Sequence, residues 1–273
     1  MPYQRILTIQ DISCVGQCSM TVALPILSAC GHETCILPAA VLSTHTGGFG
    51  KPTVANLTDH MDQIWRHWKG EGIVFDAVYT GYLGSIDAIN TASMIMDELL
   101  SPGGKLIVDP AMADHGRLYS GFDANYADAM KGLCLRSDIM IPNITEAAMM
   151  TGMPYLEQYD EEYIQALLSK LGGKEVILTG VSFESCRTGA ALRMGGNVSY
   201  YFHERYDRSF HGTGDIFASA LTGAILQEKG LEDAVRIAAD FTARSILNTI
   251  QNPAHWYGVK FETALPDLIE MLQ

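Results

Sequence analysis

The stretch "SFHGTGDIFASALTGAI", residues 209–225, sets a Gly-Thr-Gly-Asp cluster at the head of the small, apolar run Ile216 to Ile225. Two glycines around a threonine allow backbone angles and a closeness of approach that other residues resist. A helix beginning near Asp215 turns its free N–H groups and positive dipole end toward that loop, which makes a local anion site. A plain helix start, with Asp215 capping its own helix, is the other reading of these residues. The carboxylate shifts the balance between them, because it would repel a phosphate unless it had work to do beside one. Phosphoryl transfer supplies that work: the carboxylate orients and deprotonates an acceptor hydroxyl while N–H groups stabilise charge on the group in flight.

Other phosphate-handling signatures are missing. There is no complete G-x-G-x-x-G and no H-E-x-x-H, and "GGFGKPT" (47–53) is not a P-loop, since proline follows Lys51 and histidine stands at position 45. The formal net charge of −13 argues against a nucleic-acid or anionic-membrane binder, which needs clustered Lys and Arg. Any anionic ligand must therefore be held by local devices. No apolar run reaches the length of a membrane span, and "MPYQRILTIQ" lacks the regions of a signal peptide, so a cytoplasmic location is expected. Cys14, Cys18, Cys30 and Cys35 with His32 offer zinc-ligand residue types, but C-x3-C and C-x4-C spacings without a second matched pair favour reduced, mostly buried thiols.

Working outward, short β-rich runs alternate with helical segments. Strands are expected at 5–9, 34–39, 75–81, 105–110, 138–143 and 175–180, with "AALRM" and "VSYYFHE" as an antiparallel pair. Helices are expected at 19–30, 56–68, 85–100, near 122–134, from 145, at 160–171, about 214–228, 231–249 and 262–272. No repeat or linker divides the chain, so residues 1–273 read as one domain. Its class is α/β, a mostly parallel central sheet covered by helices on both faces.

Ligands of such sheets bind beyond the carboxyl ends of the strands. Polar residues cluster at that edge: Asp11, His45, Thr46, Tyr82, Asp109, Asn143, Glu146 and Thr179. Asp109, Asp114 and Glu146 are candidates to hold magnesium-bound phosphates directly or through water, since magnesium takes a few carboxylates and keeps several waters. Asn143 and Glu146 stand three apart at a helix start and share a face; a capping box is the plain alternative.

With these segments in view, the sequence resembles the pyridoxal/pyridoxamine (vitamin B6) kinases of the ribokinase-like superfamily. The similarity runs in order through "LTIQDISCVGQCS", "VLSTHTGGFG", "TGYLGS", "VDPAMADHGRLY", "IPNITEA", "VILTG" and "GTGDIFASAL". It implies a ribokinase-like three-layer sandwich and transfer of the ATP γ-phosphate to the 5′-hydroxymethyl group of a B6 vitamer. By the resemblance Asp215 is the catalytic base, and Gly212, Thr213 and Gly214 form the anion hole. Asp109, Asp114 and Glu146 handle Mg2+ and phosphate. Asn143, Thr179, Gly180 and Thr213 lie along the nucleotide path, and Asp11, His45, Thr46 and Tyr82 line the pyridine pocket. The loop 113–121 corresponds to a flap over ATP, and a homodimer is implied.

The chain departs from that pattern in three places. Asp11 replaces a serine, which places a negative group beside the pyridine nitrogen or ring hydroxyl. Ala113 replaces a glycine, and Ile141 replaces a threonine that often helps hold a monovalent ion, so a K+ or Na+ requirement stays open. A hydroxymethylpyrimidine or sugar kinase of the same fold and a non-catalytic pyridoxal-phosphate carrier are the alternatives. Met94, Met96, Met149 and Met150 read as core filler, Trp65, Trp68 and Trp256 as helix anchors, and His60, His67 and His255 as surface or packing residues. His211, beside the loop, is a weaker candidate for touching phosphate.

Overall fold

The computed structural model describes residues 2–206, 208 and 210–273. Its strands are β1 (Arg5–Ser13), β2 (Glu33–Leu42), β3 (Val54–Asn56), β4 (Phe75–Thr80), β5 (Leu100–Val108), β6 (Ala113–Asp114), β7 (Arg117–Leu118), β8 (Ile139–Met140), β9 (Glu175–Val181), β10 (Arg187–Met194) and β11 (Asn197–Glu204). Its α-helices are α1 (Met20–Ala29), α2 (Thr58–Gly70), α3 (Ile86–Glu98), α4 (Ala124–Arg136), α5 (Ile144–Thr151), α6 (Glu161–Lys170), α7 (Thr213–Leu226), α8 (Leu231–Ile250) and α9 (Leu265–Met271). A 3-10 turn, Phe261–Ala264, leads into α9.

Nine strands form one sheet in the order β11-β10-β9-β8-β5-β4-β1-β2-β3, and β6 pairs with β7 in a separate hairpin. The central six strands run parallel, whereas β3 at one edge and β10 with β11 at the other are antiparallel. Side chains of a strand alternate between faces, so a doubly covered sheet buries both sets. Leu7, Ile9, Val78, Val108 and Leu178 pack beneath α2 to α6, whereas Ile6, Ala77, Tyr79, Ile107 and Ile177 pack beneath α1, α7, α8 and α9. The three layers expected of the sequence are present.

The edges of the expectations move. β8 is two residues long, and Asn143 continues its line only as an isolated bridge to Thr179. β3, the β6–β7 hairpin and the first half of β5, "LSPGG", lie where sequence alone shows turn residues. Met94 is 38% exposed and not core filler, and Trp256 lies outside any helix, 52% exposed, with its ring 4.7 Å from that of Phe49. Small residues in α7 allow close packing: a Cβ added at Gly223 would meet Cys30 Sγ at 2.3 Å. That contact packs the end of α1 against the late part of α7 at the amino edge of the sheet, and α7 runs from there back to its head at the carboxyl edge.

Candidate active site

A cavity of about 750 Å3 opens at that edge, and all fourteen residues singled out in the sequence lie on its wall. They reach it from seven places: β1, the segments after β2, β4, β5 and β8, the end of β9, and the head of α7. Asp11 alone differs in setting, lying inside β1 instead of after it.

The glycine cluster is not an ordinary cap. Helix α7 starts at Thr213, two residues before Asp215, with Gly212 as N-cap and no side-chain capping bond. Asp215 therefore does not cap its own helix; it sits in the first turn, open to the cavity. Gly212 has φ 82° and stands so close to the loop after β1 that a Cβ there would meet Gln17 O at 2.2 Å. Gly214 differs: nothing lies within 4 Å of its missing Cβ, so a side chain there would enter open space at the head of the helix. One glycine serves the backbone and the other leaves room.

Burial pushes the Asp215 carboxyl up to about 7; the Ser19 backbone N–H pulls it back, and Asp11 raises it further. Asp109 is held in place by a hydrogen bond that Ala111 N–H donates to Oδ1 at 3.1 Å. Its carboxyl is pushed well above the usual range by burial and by the charges of Glu146 and Asp215. Both aspartates are half-buried and line the cavity.

Glu146 is 1% exposed and already engaged. Oε1 accepts from the N–H groups of Met112 (2.9 Å) and Ala113 (3.4 Å), and Oε2 accepts from Asn143 N–H at 2.9 Å. Asn143 Oδ1 accepts from Glu146 N–H at 3.0 Å, which completes a capping box on α5, and its Nδ2 donates to Ala113 O at 2.7 Å. The pair thus ties the base of the β6–β7 hairpin to α5. Burial raises the Glu146 carboxyl to about 7 against the pull of those N–H groups. Asp114 is exposed, and its Oδ1 accepts from His115 N–H at 2.7 Å. Among the described residues no three His, Cys, Asp or Glu side chains are grouped to hold a metal ion by themselves. The wall nevertheless carries Asp11, Asp109, Asp114, Glu146 and Asp215 and, among the described residues, no Lys or Arg. A polyanion entering such a site needs cations to come with it.

At the other end, His45 N–H donates to Val15 O at 2.8 Å, and its Nδ1 accepts from Gly47 N–H at 3.0 Å. That bond assigns the neutral ring's proton to Nε2. Burial, then the neighbouring His211, lowers the His45 pKa. The two rings lie 4.8 Å apart, so His211 does reach the cavity. Tyr82 stacks on Phe122 (5.3 Å, 29°), which stacks on Tyr126 (3.7 Å, 5°). Thr46 stands beside His45 on the wall. Thr179 N–H donates to Pro142 O at 2.9 Å, and Gly180 follows with φ 76°.

Sequence reading missed Ser13, Cys18, Tyr119, Thr188, His203, Phe210 and Thr242, which also line the cavity. Only the position of β10 and α8 beside the sheet's carboxyl edge brings Thr188 and Thr242 there, and no local pattern marks them. Ile141 presents an aliphatic wall to the cavity, 3% exposed.

A family model described as phosphomethylpyrimidine kinase matches residues 58–259. The chain is 29% identical over 200 residues to the hydroxymethylpyrimidine/phosphomethylpyrimidine kinase of Bacillus subtilis, covering 72% of this chain and 71% of that one. The crystal structure of pyridoxal kinase from Lactobacillus plantarum superposes with a TM-score of 0.91 at 31% identity, covering 98% and 97% of the two chains. A Bacteroides thetaiotaomicron protein assigned to the phosphomethylpyrimidine kinases, in a crystal form with pyridoxal, gives 0.90 at 33% identity over 97% and 95%. Together with the cavity at the sheet's carboxyl edge, these likenesses place the chain in the phosphomethylpyrimidine kinase family, a kinase of ribokinase-like fold.

Proposed function

We propose that the protein transfers the γ-phosphoryl group of ATP to the 5′-hydroxymethyl group of a B6 vitamer, pyridoxal, pyridoxamine or pyridoxine, giving the 5′-phosphate and ADP. The observation that carries this reading is Asp215: a carboxylate in the first turn of α7, free of any capping bond, beside a glycine N-cap and a cavity. With its carboxyl raised to about 7, it has the basicity to take a proton from an alcohol as the oxygen attacks phosphorus. The N–H groups of residues 212–214 stabilise charge on the transferred group.

Magnesium, arriving with the nucleotide, would neutralise phosphate charge; Asp109 and Asp114 would hold it, and Glu146 would act through water because both of its oxygens are occupied. The nucleotide would lie along Asn143, Thr179, Gly180 and Thr213, and the hairpin at 113–118 would close over it and exclude water. His45, Thr46, Tyr82 and Asp11 would frame the acceptor ring. Tyr82 lines the cavity, with Phe122 and then Tyr126 stacked behind it off the wall, and its ring suits a heteroaromatic better than a sugar. A homodimer is part of the proposal and is read by light scattering.

The family match supports a second acceptor, hydroxymethylpyrimidine, which carries the same reacting group on another flat ring. Purified protein with ATP and Mg2+ is offered pyridoxal, pyridoxamine, pyridoxine and hydroxymethylpyrimidine in parallel. Phosphorylation of a vitamer is expected. Turnover of the pyrimidine alone would move the substrate to the second reading, and no turnover of any would overturn both.

A further inference from the structure

The acceptor end of the cavity holds a second carboxylate, for which phosphoryl transfer has no use. Asp11 is 4% exposed, yet it lies on the cavity wall. Its setting is built: the β1–β2 register slips between Gln10 and Ile12, and Asp11 N–H donates to Tyr82 O at 3.1 Å instead of to β2. Irregular pairing of this kind re-aims a side chain. Oδ2 accepts from Ser13 Oγ at 3.0 Å.

The groups around this carboxylate are the hydroxyls of Ser13 and Ser19, the Cys18 thiol, the Tyr82 ring and the like charge of Asp215. None is a cation, and no Lys or Arg lines the cavity among the described residues. Burial accordingly pushes the Asp11 carboxyl above its ordinary range, although the two serines pull it down. A buried carboxylate without a counter-charge costs stability that serine or asparagine would not. Such a cost, kept on the wall of a ligand cavity, points to a partner that the ligand brings.

We propose that Asp11 accepts a hydrogen bond from a donor on the acceptor ring, so that the enzyme selects heteroaromatics bearing a protonated ring nitrogen or an exocyclic amino group. The inference rests on the acceptor reading given above. Two sources share this chemistry: the pyridinium N–H of a B6 vitamer and the amino group of hydroxymethylpyrimidine. A ring presenting only lone pairs or C–H to Asp11 would leave the carboxylate unpaired and be rejected.

The test compares wild type, Asp11→Ser and Asp11→Asn on two substrate pairs. Pyridoxine is set against its analogue with C–H in place of the ring nitrogen, and hydroxymethylpyrimidine against its analogue without the amino group. Both kcat/KM and Kd by titration calorimetry are read. Wild type is expected to prefer the donor-bearing member of one pair by more than about 30-fold, a factor typical of a charge-assisted hydrogen bond. Asp11→Ser is expected to reduce that preference to about threefold or less, and the pair affected identifies the donor. Because a buried unpaired charge is removed, the thermal midpoints of both variants should equal or exceed that of wild type. A preference that persists in both variants, or a wild type that prefers neither donor, overturns the inference. Binding with an Asp11-dependent preference but without turnover would refute the kinase reading and leave this one standing; turnover without such a preference would do the reverse.

Discussion

At the residue scale, the two glycines before Asp215 separate into different jobs. Gly212→Ala forces a side chain into the left-handed region, costing about 1–2 kcal/mol, and against Gln17 O at 2.2 Å. A fall in thermal midpoint together with lost turnover is expected. Gly214→Ala meets no neighbour, so its midpoint should stay at the wild-type value while kcat falls, because on the proposed reading the methyl group occupies space the transferred phosphate needs. Paired melting curves and kinetics check both. In the proposed role Asp215 must be deprotonated, so with its carboxyl raised to about 7 kcat/KM should fall about tenfold per pH unit below about 7. An acid limb near pH 4 would contradict that assignment. The loop and the helix head were legible in sequence from the glycines and the small apolar run, and strand ends point polar side chains to one edge; that Asp215 faces a cavity instead of capping its helix needed the structure. The engagement of Glu146 in a capping box was legible only as an alternative, since spacing cannot say whether a carboxylate is already satisfied.

At the scale of elements, alternation of strand and helix foretold the parallel core, but the pieces that shape the mouth of the site were hidden. The three residues of β3 are all exposed, and β6 and β7 are two residues long with one exposed residue each, too short for any pattern of apolar residues to mark them. Their pairing is a tertiary event. The turn after the hairpin reaches the proposed acceptor pocket through Phe122, whose ring stacks on Tyr82. Phe122→Leu keeps most of the bulk and removes the stack, a loss of about 1 kcal/mol. The vitamer KM should rise about fivefold by that loss while the KM for ATP stays within twofold. Equal changes in both constants would show that the stack serves the hairpin as a whole instead of the acceptor pocket.

At the scale of the whole molecule, three layers converge to place five carboxylates around one cavity without a lysine or arginine among the described residues. Asp109, Glu146 and Asp215 all have carboxyls raised above their unfolded values. Between the unfolded and folded values the folded state binds more protons, so their joint contribution to stability is present at lower pH and is lost as pH rises through about 7. The ligand-free protein should therefore melt higher at pH 6 than at pH 8, and a magnesium–nucleotide complex should narrow the difference by supplying the missing positive charge. Scanning fluorimetry at the two pH values, with and without the complex, reads this directly. The central claim is that Asp215 deprotonates the acceptor hydroxyl. Its most direct measurement is steady-state turnover of ATP with pyridoxal, alongside calorimetric binding of both, in wild type and Asp215→Asn. A kcat lower by about 10² to 10⁴ with both dissociation constants within a few fold is predicted; an Asp215→Asn enzyme turning over at the wild-type rate would contradict it.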